Sequence, residues 1–176
     1  LAKPVRAALK ERIAIVPGAV TDRRDAADGT VKLLLRLGNN APAECVAIPT
    51  RDRLTFCISS MSGCPVGCLF CASGAKGMQR RLSAGEMLGQ YLHLAVDRKA
   101  APTNVVIMGM GEPLLNYEAV VTFLRLLNNP RLANLGARHI TVSTIGVPEE
   151  IARLADEKLQ VELAFSLHHP VEARCR

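Results

Sequence analysis

Hydrophobic and polar positions change their period along this chain, and the change marks out its parts. Residues 30–37 (TVKLLLRL) alternate in part and predict a strand, with residues 44–48 as its hairpin partner across Gly38, Asn39 and Asn40. From Leu54 onward the pattern becomes strand, loop, helix, repeated. Residues 54–60 (LTFCISS) are apolar and β-branched, as a buried strand is. Ser83 stands three residues before Glu86, the spacing of a capping box, and Ala84, Met87, Leu88, Tyr91 and Ala95 form an apolar stripe at helical spacing behind it. Residues 104–108 (NVVIM) predict a second buried strand, and Asn116 is the expected cap of a helix carrying Val120, Phe123, Leu124 and Leu127. Residues 139–143 (HITVS) follow as a third strand. Pro148 suits the start of a helix carrying Ile151, Leu154 and Ala155, and residues 161–167 (VELAFSL) are a fourth strand.

Continuous apolar strands alternating with helices predict a parallel sheet covered by helices, an α/β fold. Each of the four strands ends in a polar or glycine-rich cluster: residues 64–71, 109–113, 143–146 and 166–168. Parallel α/β barrels gather their active sites at that end of the strands, so one composite site is expected. Residues 1–29, with Pro4, Pro17, Gly18, Gly29 and many Lys and Arg, read as a basic boundary or linker region. Residues 30–53 read as a hairpin leading into the barrel, and residues 54–176 as the core domain.

Composition narrows the possibilities. The chain has 176 residues, 49% hydrophobic and 22% charged, which excludes a disordered chain. No apolar run approaches the roughly 18 residues of a spanning helix, so no membrane partner is expected. The net charge of +6 favours a polyanion such as RNA, and residues 1–53 hold ten basic against six acidic groups. With 3% aromatics and no Trp, an aromatic stacking platform is disfavoured. Lys76, Arg80 and Arg81 form a local basic cluster suited to phosphates or simply to solvent.

Cysteine usage carries more. There are six Cys and no export-signal pattern, so a reducing cytoplasm is the expected compartment. Three of the six, Cys64, Cys68 and Cys71, crowd into eight positions. Thiolates are the usual ligands of iron–sulfur clusters, and three local ligands leave one iron open to a reactant. Zinc held by the three thiols with His139 or His168 is an alternative, but such sites usually pair two Cys knuckles and only one is present. Three unrelated buried thiols are the other alternative.

Cys-x-x-x-Cys-x-x-Cys after the first strand of a βα repeat resembles the radical S-adenosylmethionine (SAM) superfamily. The run from Cys57 to Cys64 (CISSMSGC), GMGEPLLN at residues 109–116, STIG at 143–146 and SLH at 166–168 together resemble the RlmN/Cfr family of RNA adenosine methyltransferases, over roughly residues 30–170. The resemblance implies a partial (βα) radical SAM barrel, about four of six βα units, preceded by a small β-hairpin segment. It implies that Cys64, Cys68 and Cys71 hold a 4Fe–4S cluster whose open iron chelates SAM. Gly111 and Glu112 would meet the SAM ammonium, and Ser143, Ser166, Leu167 and His168 the rest of SAM. Glu44 would be the proton acceptor and Cys57 the thiol that resolves a methylated-cysteine intermediate. The methyl-carrying Cys has no counterpart here, so this chain alone is expected to be inactive.

The activity so implied is methylation of carbon 2 of an adenosine in 23S rRNA and some tRNA, with flavodoxin or ferredoxin as electron donor. Carbon 8, as in the Cfr type, and a non-catalytic metal-binding RNA module are the alternatives. Without the resemblance Glu44 would read as a solvated acid, Cys57 as a core thiol, His168 as a barrel-end histidine and His93 as surface. Cys45 and Cys175 have no matching role.

Overall fold

A computed structural model describes residues 2–12, 16–75 and 77–167. The chain opens with helix α1 (Lys3–Arg12) and strands β1 (Ala19–Asp25), β2 (Val31–Arg36), β3 (Pro42–Pro49) and β4 (Leu54–Cys57). Two short strands follow, β5 (Met61–Gly63) and β6 (Met78–Arg81). Then come α2 (Ala84–Arg98), β7 (Asn104–Ile107), α3 (Tyr117–Asn128), β8 (Ile140–Thr144), α4 (Pro148–Asp156) and β9 (Glu162–Phe165).

Among the described residues, seven strands form one sheet in the order β1-β2-β3-β4-β7-β8-β9, with β5 and β6 as a separate ribbon. β4 is the junction, antiparallel to β3 on one side and parallel to β7 on the other. The expected four parallel strands, with helices between them, are therefore present. Alternation decides the faces. Val31, Leu33 and Leu35, Ala43, Cys45 and Ala47, Phe56 and Ile58, Val105 and Ile107, and Ile140 and Val142 are buried in one core. That core is shared with Met87, Tyr91 and Leu94 of α2, Val120, Phe123, Leu124 and Leu127 of α3, and Leu154 of α4. Phe56 meets Tyr91 edge-on at 5.6 Å between centroids. Cys45 lies fully in this core, and burial pushes its thiol up to about 12.

The first 29 residues are not all linker. They contain α1 and β1, and β1 pairs with β2 to widen the expected hairpin into a three-stranded wing of the main sheet. All seven residues of β1 (AVTDRRD) are exposed, so no buried alternation announces the strand. The strand expected over 54–60 ends at Cys57 because Ser59 and Ser60 turn out of the sheet to polar partners.

The capping box at Ser83 is present. The Glu86 N–H donates to Ser83 Oγ at 3.2 Å, and the Ser83 N–H donates to Glu86 Oε2 at 3.0 Å. Asn116 does not cap α3: its Nδ2 donates to the Ser60 carbonyl at 2.8 Å and the Leu82 carbonyl at 2.7 Å. Arg80 is not a free phosphate contact either. It forks onto Glu86, with Nη2–Oε1 at 2.5 Å and Nη1–Oε2 at 2.9 Å, and Nη2 also donates to the Gly38 carbonyl at 2.7 Å. This clamp ties β6, the start of α2 and the β2–β3 turn together. His93, expected at the surface, is half-buried with Nε2 3.3 Å from the Pro17 carbonyl.

The Arg80 fork, with help from Ser83, holds the Glu86 carboxyl down at about 2. A depressed carboxylate stabilises the fold above its unfolded pKa, near 4.3, and that contribution fades as pH falls toward 2. Glu86→Gln is expected to cost about 1–2 kcal/mol at pH 7, discounted for solvent screening. The difference from the parent should shrink below about pH 4, which denaturant titrations across pH would read.

Candidate active site

The site is built on the segment leaving β4. Gln90 of α2 clasps Ser59 twice: its Oε1 accepts from the Ser59 N–H and its Nε2 donates to the Ser59 carbonyl, both at 2.9 Å. Ser59 Oγ donates to the Glu44 carbonyl at 2.5 Å and accepts from the Met110 N–H at 2.9 Å. Asn116 holds Ser60, as described above. Sequence reasoning missed these positioning residues. The signal was there for Gln90, a lone polar side chain within the apolar stripe of Met87, Tyr91 and Leu94. Gln90→Leu would strand two buried backbone groups of Ser59, an expected loss of about 2–4 kcal/mol visible as a lowered Tm.

From this anchor the chain enters the cysteine loop. The β5–β6 ribbon closes the loop's base, pairing Met61 with Arg81 and Gly63 with Met78. Gly63 has φ +76°, and a Cβ there would lie 2.0 Å from the Gly77 carbonyl oxygen, so the base of the loop demands glycine. Successive turns follow, Cys71 N–H to the Cys68 carbonyl at 3.0 Å and Gly74 N–H to the Cys71 carbonyl at 3.1 Å. Cys64, Cys68 and Cys71 are half-buried and line one cavity with Gly109, Gly111, Glu112, Ser143 and Ser166. Burial pushes the Cys64 thiol above its ordinary range.

The opposite wall of that cavity comes from the ends of β7, β8 and β9. Glu112 is 3% exposed; Oε1 accepts from the Leu114 N–H at 3.1 Å and Oε2 from the Ile145 N–H at 3.0 Å. Each oxygen keeps a lone pair for a cationic ligand. Gly111, at φ +101°, passes so close to Met61 that a Cβ would meet its side chain at 2.6 Å. Ser143 Oγ and Ser166 Oγ are 2.9 Å apart, joining β8 to the residue after β9. Leu167 is 62% exposed and lies outside the cavity wall; His168 and Cys175 lie outside the described residues.

Glu44 and Cys57 stand on the sheet face turned away from the helices. Val46 pairs with Cys57, so Glu44, two residues before Val46, shares its face one step nearer the cysteine loop. Glu44 accepts from Lys32 Nζ at 3.3 Å and lines a second cavity with Leu34, Arg36, Gln79 and Met110. Burial pushes the Cys57 thiol up, opposed in part by a backbone hydrogen bond from Met108.

His139 contacts Asn104 at 3.4 Å, at the start of β7 and so at the end of the sheet opposite the thiols. It is thus removed as a fourth zinc ligand. Among the described residues no three thiol, imidazole or carboxylate groups close on one point as a preformed metal site. The three thiols are separate donors on consecutive turns, and metal binding commonly draws such a loop together. An all-thiolate set of three facing an open cavity fits a cluster with one free iron, and buried Glu112 fits the cation of its partner.

A helix-covered parallel sheet with these thiols at its mouth defines a class. The chain matches the radical SAM superfamily over residues 58–175 and belongs to it; the cofactors of that superfamily are a 4Fe–4S cluster and SAM. Among curated proteins it is 48% identical over 174 residues to the probable dual-specificity RNA methyltransferase RlmN of Gemmatimonas aurantiaca, covering 98% of this chain and 48% of that one. It is 46% identical over 171 residues to the protein of the same name from Thermotoga maritima, covering 97% of this chain and 50% of that one. Among solved structures, a radical SAM methyltransferase from Sphaerobacter thermophilus superposes with a TM-score of 0.91 at 42% identity, covering 99% of this chain and 52% of that one. The chain thus spans about half the length of the curated relatives it matches.

Proposed function

We propose that this chain supplies the cluster- and SAM-holding part of a cytoplasmic RNA methyltransferase that acts on carbon 2 of an adenosine in 23S rRNA, and in some tRNA. The observation that carries the reading is the shared cavity: three thiols on one wall, Glu112 with Ser143 and Ser166 on the other. Cys64, Cys68 and Cys71 would hold the cluster, with Gly111 and Glu112 at the SAM amino group. Bound together and with flavodoxin or ferredoxin as the reductant, the pair would supply radical chemistry, which an adenine ring carbon needs because it is not a nucleophile toward a sulfonium methyl.

The chain's own residues then have defined tasks. The Glu44 carboxylate accepts the proton lost from the ring carbon, and Lys32 beside it keeps it oriented. The Cys57 thiolate attacks the sulfur of the thioether that links enzyme to RNA. An S–S bond forms as the C–S bond breaks, and the methylene carbon keeps the electron pair and takes a proton to become the product methyl. Both side chains face the same open side of the sheet, as a base turned out of its stack requires. The RlmN name of the relatives favours carbon 2 over carbon 8.

The test uses the full-length protein, reconstituted anaerobically and given SAM, a reductant and a 23S rRNA fragment. The RNA is then digested, and its nucleosides are separated by liquid chromatography against 2- and 8-methyladenosine standards and identified by mass spectrometry. 2-Methyladenosine is the expected product. 8-Methyladenosine would move the assignment to the Cfr type, and no methylated adenosine would overturn it.

A further inference from the structure

The face that carries Glu44 and Cys57 continues outward over β2 and β1. Alternation places Lys32, Leu34 and Arg36 of β2 on it, and the β1–β2 register sets Arg24 beside Lys32 and Asp22 beside Leu34. Three cations and two acids therefore share this face with Glu44 included. Two of the cations are partnered: Lys32 with Glu44 at 3.3 Å and Arg24 with Asp22 at 3.2 Å. Arg36 is exposed and has no ion pair among the described residues; its Nη1 donates to the Asn40 carbonyl at 3.3 Å.

Its position is informative. β2 and β3 are antiparallel, and Arg36 pairs with Pro42, two residues before Glu44 and therefore nearer the rim. Arg36 lines the cavity that contains Glu44. Charge on an edge strand has a plain use in blocking pairing with another chain. Arg23 on the other face of β1 serves that end, tied to Asp25 and to Asp97 of α2. Arg36 lies on β2, inside the sheet, where no edge needs guarding.

A nucleotide whose base enters the Glu44 cavity leaves its phosphates at the rim, and an arginine fork matches a phosphate with two parallel hydrogen bonds. The geometry points to the β1–β2 face as a phosphate-binding surface for the RNA strand flanking the target base, with Arg36 on the nearest phosphate and Arg24 on a further one. This rests on the RNA methyltransferase reading above and adds the surface by which the RNA is held.

The test measures binding of a 23S rRNA hairpin to the reconstituted full-length protein across salt concentration, for the parent and for R24Q, R36Q and the double variant. Each lost phosphate contact should flatten the slope of log K against log salt by about 0.7, and the double variant by about twice that. R36K should restore the R36Q slope, and the effect of SAM on the cluster should be unchanged throughout. Slopes equal to the parent's in all variants would overturn the inference while leaving the methyltransferase reading intact. Parent-like RNA binding with slower reduction by the donor protein would overturn it too, assigning the face to an acidic protein. A parent protein that neither binds nor methylates RNA would overturn both readings together.

Discussion

Replacing any one of Cys64, Cys68 or Cys71 by Ala in the full-length protein should abolish methylation and strip the cluster, leaving well under one cluster per chain by iron and sulfide analysis. The reason is the donor count. Three thiols line the cavity, and among the described residues no further imidazole, thiol or carboxylate stands beside them except Glu112, whose oxygens already accept from Leu114 and Ile145. With two thiolates left, the loop cannot wrap the cluster, and the open iron that SAM needs is lost with it. The fold should survive, because the core lies on the other face of the sheet and none of the three thiols belongs to it. Near-parental circular dichroism and denaturant midpoint in the apo-proteins check this. Serine at the same positions should do no better than alanine, since an alkoxide is a poor substitute for a thiolate on iron.

The second large effect falls on Cys57. Cys57→Ala should stop turnover, at least 10²-fold, while iron content and SAM binding stay at parental levels, because Cys57 lies on β4 outside the cluster cavity. If its sulfur frees the product, its removal should leave RNA covalently attached to the full-length protein, seen as a band that survives denaturation and disappears on RNase treatment. Parent-like turnover by Cys57→Ala would return this residue to the role of a small apolar strand residue. The pH dependence follows from its surroundings. Burial raises the Cys57 thiol, so the thiolate fraction at pH 7 is small and grows with pH. The product-release step should therefore quicken as pH rises from 7 into the alkaline range, and Cys57→Ala should remove that dependence.

What the sequence made legible followed from where strong local chemistry meets burial. The strands after Leu54 were readable because both sequence period and final burial obey the same alternation, and Ser83 with Glu86 because a capping box is a local device. The thiols and Glu112 were readable as one site because parallel strands bring their C-terminal ends together. β1 was hidden because its residues are exposed and show no apolar alternation, and its place in the sheet is set by backbone pairing with β2. Asn116 was misjudged because a cap and a buried amide have the same sequence position, and only the approach of Ser60 and Leu82 decides between them. Arg80 looked like a phosphate ligand until Glu86 and Gly38, six and forty-two residues away, closed on it. In each case the missing information was a long-range partner.

If the cavity lined by the three thiols and Glu112 holds both groups, a cluster and SAM should touch there. Electron paramagnetic resonance of the reduced, anaerobically reconstituted full-length protein, recorded with and without SAM alongside metal analysis, tests it most directly. About four irons per chain and a reduced-cluster signal that shifts when SAM is added are the predicted results, as expected of an open iron taking SAM as a ligand. Bound zinc, or a cluster signal indifferent to SAM, would contradict the account.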